Sequence, residues 1–566
     1  MKKTMGIKRW AGAGVLTLLP ALSWGAEPAA RTGVPEPTLP RYLGGETAPF
    51  RLPPVEAGSL PPAPATLADS VLIRRIAVRG NTVIPSEELI AVVAERIGQR
   101  MNAADLEDIR LALTRHYIAR GYVNSGVVLP ADAVAGDTLN LEVVEGRLRE
   151  VRLRGLDGLN EAYLRGRLAA DPAAVLNVES LREKFQLVLD DPLFQRLNAR
   201  LLPGERAGEA VLEVDVERAK PYRISGFANN YRPPSIGSLA AGMSAVVRNL
   251  SGYGDALDLT LQSPQKDWGE VRSSLAWRLP LGSRGSWLAL QYEHGRSSVV
   301  EEPMRSLDLK SILDSREIGL GQTLYESLSH RLALGFGYLL RENRTTLGGL
   351  PFSFTAGEPD GLTRIRARRF WQEYSYRTEK QVLALRSTFT TASNNLQDMR
   401  GLPGPAAPAA SQRYDVWLGQ WQYARQLSEQ GTQLILRGAV QHSGSRLLAL
   451  DRMAIGGVTT VRGYRENQLV RDRGSVVNVE VDVPLYRAGE RGPNLSVLPF
   501  YDVGRGKNRG EAGETLSSAG VAASLRWQGW RVDLAVAKRL VHPAAIHGGS
   551  NWQDKGVHLQ IAYDFN

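Results

Sequence analysis

The chain has 566 residues and no cysteine, which excludes a disulfide-stapled scaffold and any thiolate-ligated zinc site. Long apolar runs are missing too. After residue 26 none approaches the ~18 residues that a membrane helix needs, and the mean hydropathy is −0.22, so a bundle of membrane helices is excluded. Catalytic signatures are also missing: no G-x-S-x-G elbow, no H-E-x-x-H and no G-x4-G-K-[ST] phosphate loop. The seven histidines (116, 294, 330, 442, 542, 547, 558) show no ligand spacing. The sequence therefore nominates no catalytic residue, no metal site and no cofactor, and the expectation is that the protein is not an enzyme. The charge is +10, from 69 basic and 59 acidic residues. Lys2, Lys3, Lys8 and Arg9 lie in a segment expected to be removed. The remaining excess of about +6 is too dilute for a nucleic-acid partner.

One membrane class survives these exclusions. A β-barrel alternates lipid-facing and lumen-facing residues, so its mean hydropathy stays polar. The N-terminus supports export: a basic start, an apolar core at residues 11–22, then Ser23, Gly25 and Ala26 form the pattern of a secretory signal peptide over 1–26. Residues 27–69 hold ten prolines. No useful helix fits between them, because each proline inside a helix costs about 3 kcal/mol; the stretch reads as an extended linker or tether.

Residues 70–218 repeat one pattern twice, over 70–146 and 147–218. The first unit has a strand at 71–80, helices at 86–97 and 103–120, and strands at 122–130 and 138–146. Leu106, Ile109, Leu113 and Tyr117 keep helical spacing, and Gly121 stands where a C-cap belongs. The second unit has a strand at 148–155, helices near 160–170 and 178–190, and strands near 193–202 and 210–217. From residue 219 onward helical spacing disappears. Sixteen candidate strands follow, at 222–231, 239–249, 255–263, 270–280, 286–296, 314–326, 330–343, 367–378, 381–392, 412–427, 431–445, 474–486, 494–503, 515–527, 530–540 and 555–565. In the last, Val557, Leu559, Ile561, Tyr563 and Phe565 share one face and His558, Gln560, Ala562 and Asp564 the other. Val477, Val479, Val481, Val483 and Leu485 likewise oppose Asn478, Glu480 and Asp482. Sixteen such strands behind a signal peptide predict a closed antiparallel transmembrane barrel over 219–566. Trp277, Trp287, Tyr292, Trp417, Trp421, Trp527 and Trp530 suit its interfacial girdles.

Two segments stand apart. GGVTTVRGYREN (456–467) lies in the longest late interruption, 446–473, and LPFYDVGRG (498–506) ends a later strand. On the residues alone, V-R-G-Y as a surface turn is the simpler account. A loop folded back into the lumen would instead bring Arg462 to Asp502, where a bidentate guanidinium–carboxylate pair would fix it better than a lysine could. His442 and His558 fall in candidate strands, in lumen-facing or interfacial roles.

Taken together, these features resemble the TpsB transporters of two-partner secretion, relatives of the haemolysin activators and the filamentous-haemagglutinin transporter. The resemblance spans nearly the whole mature chain. The repeats look like POTRA domains, with Val78-Arg79-Gly80-Asn81 and Gly121-Tyr122 in familiar places, and V-R-G-Y matches as Val461, Arg462, Gly463 and Tyr464. The F-x-D-x-G motif matches as Phe500, Asp502 and Gly504. The fold so implied is two β-α-α-β-β POTRA modules followed by a sixteen-stranded barrel whose VRGY loop lies inside, with Arg462 salt-bridged to Asp502. The implied function is an outer-membrane pore of a Gram-negative bacterium that secretes a large unfolded TpsA-type protein without nucleotide hydrolysis. Its POTRA domains would be periplasmic and bind the partner by strand addition, with 138–146, 210–217 and the helices beside them as candidate surfaces. Outer-membrane lipid and the barrel-assembly machinery are the other implied partners. A POTRA-barrel insertase is the alternative, although such proteins usually carry more than two POTRA domains. Two departures stand out: the prolines in 27–69 leave no room for the long helix that plugs many family barrels, and the chain ends Phe565-Asn566 rather than on an aromatic residue.

Overall fold

The computed structural model describes residues 38–43, 70–168, 171, 173–264, 270–302, 304–397, 410–488, 492–542 and 551–565. The expected signal peptide and most of the proline-rich stretch, with any plug helix there, lie outside the described residues, as does the terminal Asn566.

In the first α/β module, helix Ala103–Ala119 begins at a capping box. The Asn102 side chain accepts the N–H groups of Ala104 and Asp105 while Asp105 accepts that of Asn102, satisfying donors the first turn leaves open. Its apolar stripe, Leu106, Ile109, Leu113 and Tyr117, packs on Leu139, Leu141 and Val143. The sheet puts Thr138–Val144 between Arg75–Arg79, which is parallel to it, and Gly126–Val128, which is antiparallel. The second module repeats this arrangement. Glu209–Arg218 lies between Arg147–Arg154 and Phe194–Pro203, under helices Glu161–Leu168 and Val178–Leu189, with Leu181, Phe185, Leu212 and Val214 in the core.

Several expected elements are corrected. The strand expected at 71–80 breaks into Val71–Leu72 and Arg75–Arg79 around fully buried Ile73. The helix expected at 86–97 stops at Val92 and continues as a 3-10 turn, Ala94–Arg96. The strand expected at 122–130 shortens to Gly126–Val128. The proposed docking strands 138–146 and 210–217 are the central strands of their sheets. Their backbone groups are taken on both sides, so neither can accept an added strand.

All sixteen long barrel strands form, in sequence order and antiparallel. The barrel closes where Tyr222–Asn229 pairs with both Ala240–Arg248 and Val557–Phe565. The strands next to the longest hairpins run further from the modules than expected: Leu309–Glu326, His330–Leu347 and Leu362–Arg377. Trp287 is not a girdle residue. It turns into the lumen, where its ring lies 5.8 Å from that of Trp371. The second module sits on the barrel's near rim through Asn160 N–H to Gly252 O (2.7 Å) and Leu328 N–H to Glu183 Oε1 (3.2 Å). Residues 38–43 of the proline-rich stretch enter the mouth at this end. Leu43 N–H donates to Thr378 O (3.1 Å), and Tyr42 packs on Val382, Ala424 and Ile435.

Candidate functional site

Residues 446–473 leave the far rim and fold back into the lumen. They are not a plain loop but carry a 3-10 turn, Ala449–Asp451, and a hairpin of Met453–Ile455 with Leu469–Arg471. Val461-Arg462-Gly463-Tyr464 forms the tip between the hairpin strands, and all four are buried.

Asp502 is not at a strand end. Its strand runs Asn494–Lys507, so Phe500, Asp502 and Gly504 project at period two from mid-strand into the lumen. Each residue of this motif has a job at the tip. Asp502 binds Arg462 twice through its side chain (Nε to Oδ2, 2.7 Å; Nη2 to Oδ1, 2.7 Å) and accepts the Arg462 backbone N–H (3.0 Å). Phe500 lies beneath the guanidinium, whose Cζ is 3.5 Å from the ring centroid, a cation–π contact strengthened by the loss of solvent. Gly504 leaves room: a Cβ there would stand 2.5 Å from Ile455 Cγ2 and 2.9 Å from Val461 Cγ2.

The neighbouring strand Arg473–Arg487 supplies two residues that the sequence reading left merely on a polar face. Asn478, opposite Asp502 in register, donates to Asp502 Oδ1 (2.7 Å) and to the Thr460 carbonyl. Glu480, opposite Phe500, lies 3.0 Å from Arg462 Nη2 and 3.3 Å from Arg437 Nη1. Arg462, Arg437, Asp502 and Glu480 thus form a charge-balanced group, two cations against two anions. Arg462 and Asp502 are almost wholly shielded, at 1% and 0% side-chain exposure.

Gly463 has φ +88°, which favours glycine. Its N–H donates to His558 Nε2 (3.1 Å) and its carbonyl accepts from Arg539 Nε (2.6 Å). The Tyr464 hydroxyl reaches the Ser517 carbonyl at 2.8 Å, and Val461 packs with Met453, Ile455 and Leu516. Further anchors hold the segment, among them Arg471 with Glu514. Asp451 pairs with Arg341 (3.1 Å) and Tyr414 on another part of the wall, and Arg465 pairs with Asp554 (2.6 Å). All seven motif residues therefore meet in one place. Glu480, Asn478 and His558 join them without having been singled out for it, their only signal a polar residue on the inward face of an alternating strand. Asp451, in the 3-10 turn of the segment, and Arg341 hold it at a second point.

Residues 208–527 match the family described as "Haemolysin secretion/activation protein ShlB/FhaC/HecB", and residues 71–146 match "POTRA domain, ShlB-type". The outer membrane transporter CdiB of Dickeya dadantii is 21% identical over 471 residues, covering 80% of each chain. The hemolysin transporter protein ShlB of Serratia marcescens is 24% identical over 229 residues, 39% of this chain and 40% of that one. The solved structure of CdiB from Escherichia coli superposes with a TM-score of 0.67 at 19% identity, covering 91% of this chain and 92% of the other, a likeness of fold. With the family match covering more than half of the sequence and two-module-plus-barrel architecture in place, the chain belongs to the ShlB/FhaC/HecB family and is an outer-membrane secretion pore of the two-partner type, its POTRA domains on the periplasmic side.

Proposed function

We propose that the Arg462–Asp502 pair is the lock that keeps the 446–473 segment seated in the pore, and that the POTRA modules take up the secreted partner in extended form before it passes through the barrel. The observation that carries the first part is the burial of a neutral four-charge group around one guanidinium. Such a group is stable only when every member is present, because removing one partner strands a buried charge. For the second part, the open edge Phe194–Pro203, ten residues long, is the longest in either module. It has a row of backbone donors and acceptors that an unfolded chain can pair with, and alternate side chains to read it. The partner is a large TpsA-type protein that arrives unfolded. Its folding outside makes passage one-way, so no nucleotide is required. Insertion of the barrel itself falls to the barrel-assembly machinery.

Photo-cross-linkers at Arg196, Asn198 and Arg200, exposed residues of that edge strand, test the docking. Adducts with the partner are expected there and not at the central strand Glu209–Arg218. Deleting 71–218 should leave a membrane-inserted barrel that no longer secretes. Partner in the medium after that deletion, or adducts only at the central strand, would overturn the docking role.

A further inference from the structure

The outward face of the barrel carries an arginine cluster that the export reading does not use. Leu320, Phe336, Phe370 and Phe389 are successive cross-strand partners on four adjacent strands, and all are exposed, forming an apolar row turned toward lipid. Four residues further from the POTRA end on each strand lies a second row: Arg316, Leu340, Arg366 and Ser393, followed on the next strand by Arg413. With a rise of about 3.3 Å per residue and a strand tilt of about 40°, the second row stands about 10 Å above the first. Arg368 sits one pleat below Arg366. The POTRA modules fix the near end as periplasmic, so this row lies at the level of the outer leaflet.

These arginines make no direct ion pair, although the Asp314 carboxylate, one pleat from Arg316, offsets part of its charge. Nearby Arg364, Arg369 and Arg386 are ion-paired with Glu342, Glu317 and Glu373. Among the described residues, Arg316, Arg366, Arg368 and Arg413 have no carboxylate at ion-pair distance, and all four are exposed. The acidic neighbours are hydrogen-bonded to other groups. Asp314 accepts from Tyr292 (3.2 Å) and lies 2.9 Å from His294 Nδ1, and Asp415 accepts from Thr391 (2.8 Å). Arg316, Arg366 and Arg413 occupy every second strand, so their stems are about 10 Å apart. That spacing admits several phosphate groups side by side, and each guanidinium presents a fork matched to a phosphate.

We propose that Arg316, Arg366, Arg368 and Arg413 form a binding site for the phosphates of the phosphorylated glycolipid of the outer leaflet. Leu340, Tyr338 and the phenylalanine row below receive its acyl chains. Charge complementarity selects the headgroup, and the apolar row beneath it selects a lipid over a free anion.

The test uses the full-length protein in detergent, titrated with bis-phosphorylated lipid A and followed by native mass spectrometry. Heat-modifiable gel migration checks that each variant is folded. Wild type should bind this lipid at least tenfold more tightly than fully dephosphorylated lipid A or phosphatidylglycerol, and inorganic phosphate should not displace it. The combined variant Arg316→Ser/Arg366→Ser/Arg368→Ser should lose that preference. The milder Arg366→Lys/Arg368→Lys, which keeps charge but not the fork, should fall between the two. Equal binding of phosphorylated and dephosphorylated lipid by wild type, displacement by inorganic phosphate, equal binding of phosphatidylglycerol, or a folded serine variant that binds like wild type would each overturn the proposal. Partner secretion, measured in parallel, reports on the pore separately.

Discussion

Asp502→Asn is the most informative single change in this protein. The substitution is nearly isosteric, but it removes the charge and turns one accepting oxygen into an NH2 that faces donors: Oδ1 accepts from Arg462 Nη2 and Asn478 Nδ2, and Oδ2 from Arg462 Nε and the Arg462 backbone N–H. In the wild type, Arg462 and Arg437 face Asp502 and Glu480. In the variant, one anion faces two cations at a site where Arg462 is 1% exposed. Breaking a buried pair by removing one partner costs about 3–5 kcal/mol. At 1.4 kcal/mol per tenfold, that is about two to three and a half powers of ten in the seating equilibrium of the tip. Because the chain has no cysteine, a single Val458→Cys substitution is a unique reporter. Val458 is 7% exposed beside the tip, so thiol labelling should be slow in the parent and faster by a comparable factor with Asp502→Asn. Secretion of the partner should fall while the barrel remains heat-modifiable. Unchanged labelling together with normal secretion would refute the idea that this pair holds the segment.

Two other perturbations address different links. Gly504→Val places a Cβ 2.5 Å from Ile455 Cγ2. Overpacking of this kind costs about 1–3 kcal/mol, so labelling at position 458 should rise less than with Asp502→Asn; no rise would mean the tip does not press on this strand. In the first POTRA module, Glu145 accepts from the Thr82 and Val83 N–H groups and the Thr82 hydroxyl. Burial pushes its carboxyl up, but these bonds outweigh burial and hold it below its ordinary value. A depressed folded pKa gives stability that is present above the unfolded value near 4.3 and lost as pH falls through the folded one. Pulsed proteolysis should therefore find the wild-type module weakening as pH drops below about 4, with a flatter profile in Glu145→Gln. Parallel profiles would remove Glu145 from the acid response.

The barrel was legible because a period of two writes itself into the sequence whenever one face meets lipid. Val557 to Phe565 gave the inward and outward faces that the structure has. The pore's interior was less legible because it is filled by a segment distant in sequence. The Gly504-Arg505-Gly506 stretch reads as a turn, so the strand was expected to stop at 503. Instead the glycine at 504 serves the approach of Ile455 and Val461, and pairing runs on to Lys507. Trp287 looked like a girdle aromatic because aromatic residues near strand ends usually face an interface. Gly321, its cross-strand partner, is what lets the indole lie against the inner wall. In the modules the helical stripes located the cores but not the sheet order. The strands named as docking surfaces, 138–146 and 210–217, fall in the middle because each pairs with two strands distant in sequence, which nothing in their own residues marks.

The ties of the lumenal segment, at Asp502, Arg341, Asp554 and also Glu514, bear on the route of export. Withdrawing the segment breaks these ties together with the buried packing of Ile455, Val461 and Tyr464 against Val476 and Leu516 of the wall, contacts of the kind that hold a whole domain folded by about 5–15 kcal/mol. Spontaneous withdrawal is then too rare to serve as the resting gate. The partner must either bring binding energy to release the segment or pass beside it, and there is a place beside it. A cavity of about 390 Å³ runs along the inner wall past Arg278, Trp287, Trp371 and Arg386, where the indole of Trp371 lies over Gly335. A Cβ at Gly335 would fall 1.9 Å from Trp371 Cζ2, so Gly335→Leu must push that ring into the free space without touching the Arg462 group. If export runs along this wall, the substitution should cut both secretion and ion conductance while leaving Val458→Cys labelling slow. If the segment must leave first, secretion should be insensitive to Gly335→Leu and should track only the tightness of the lock.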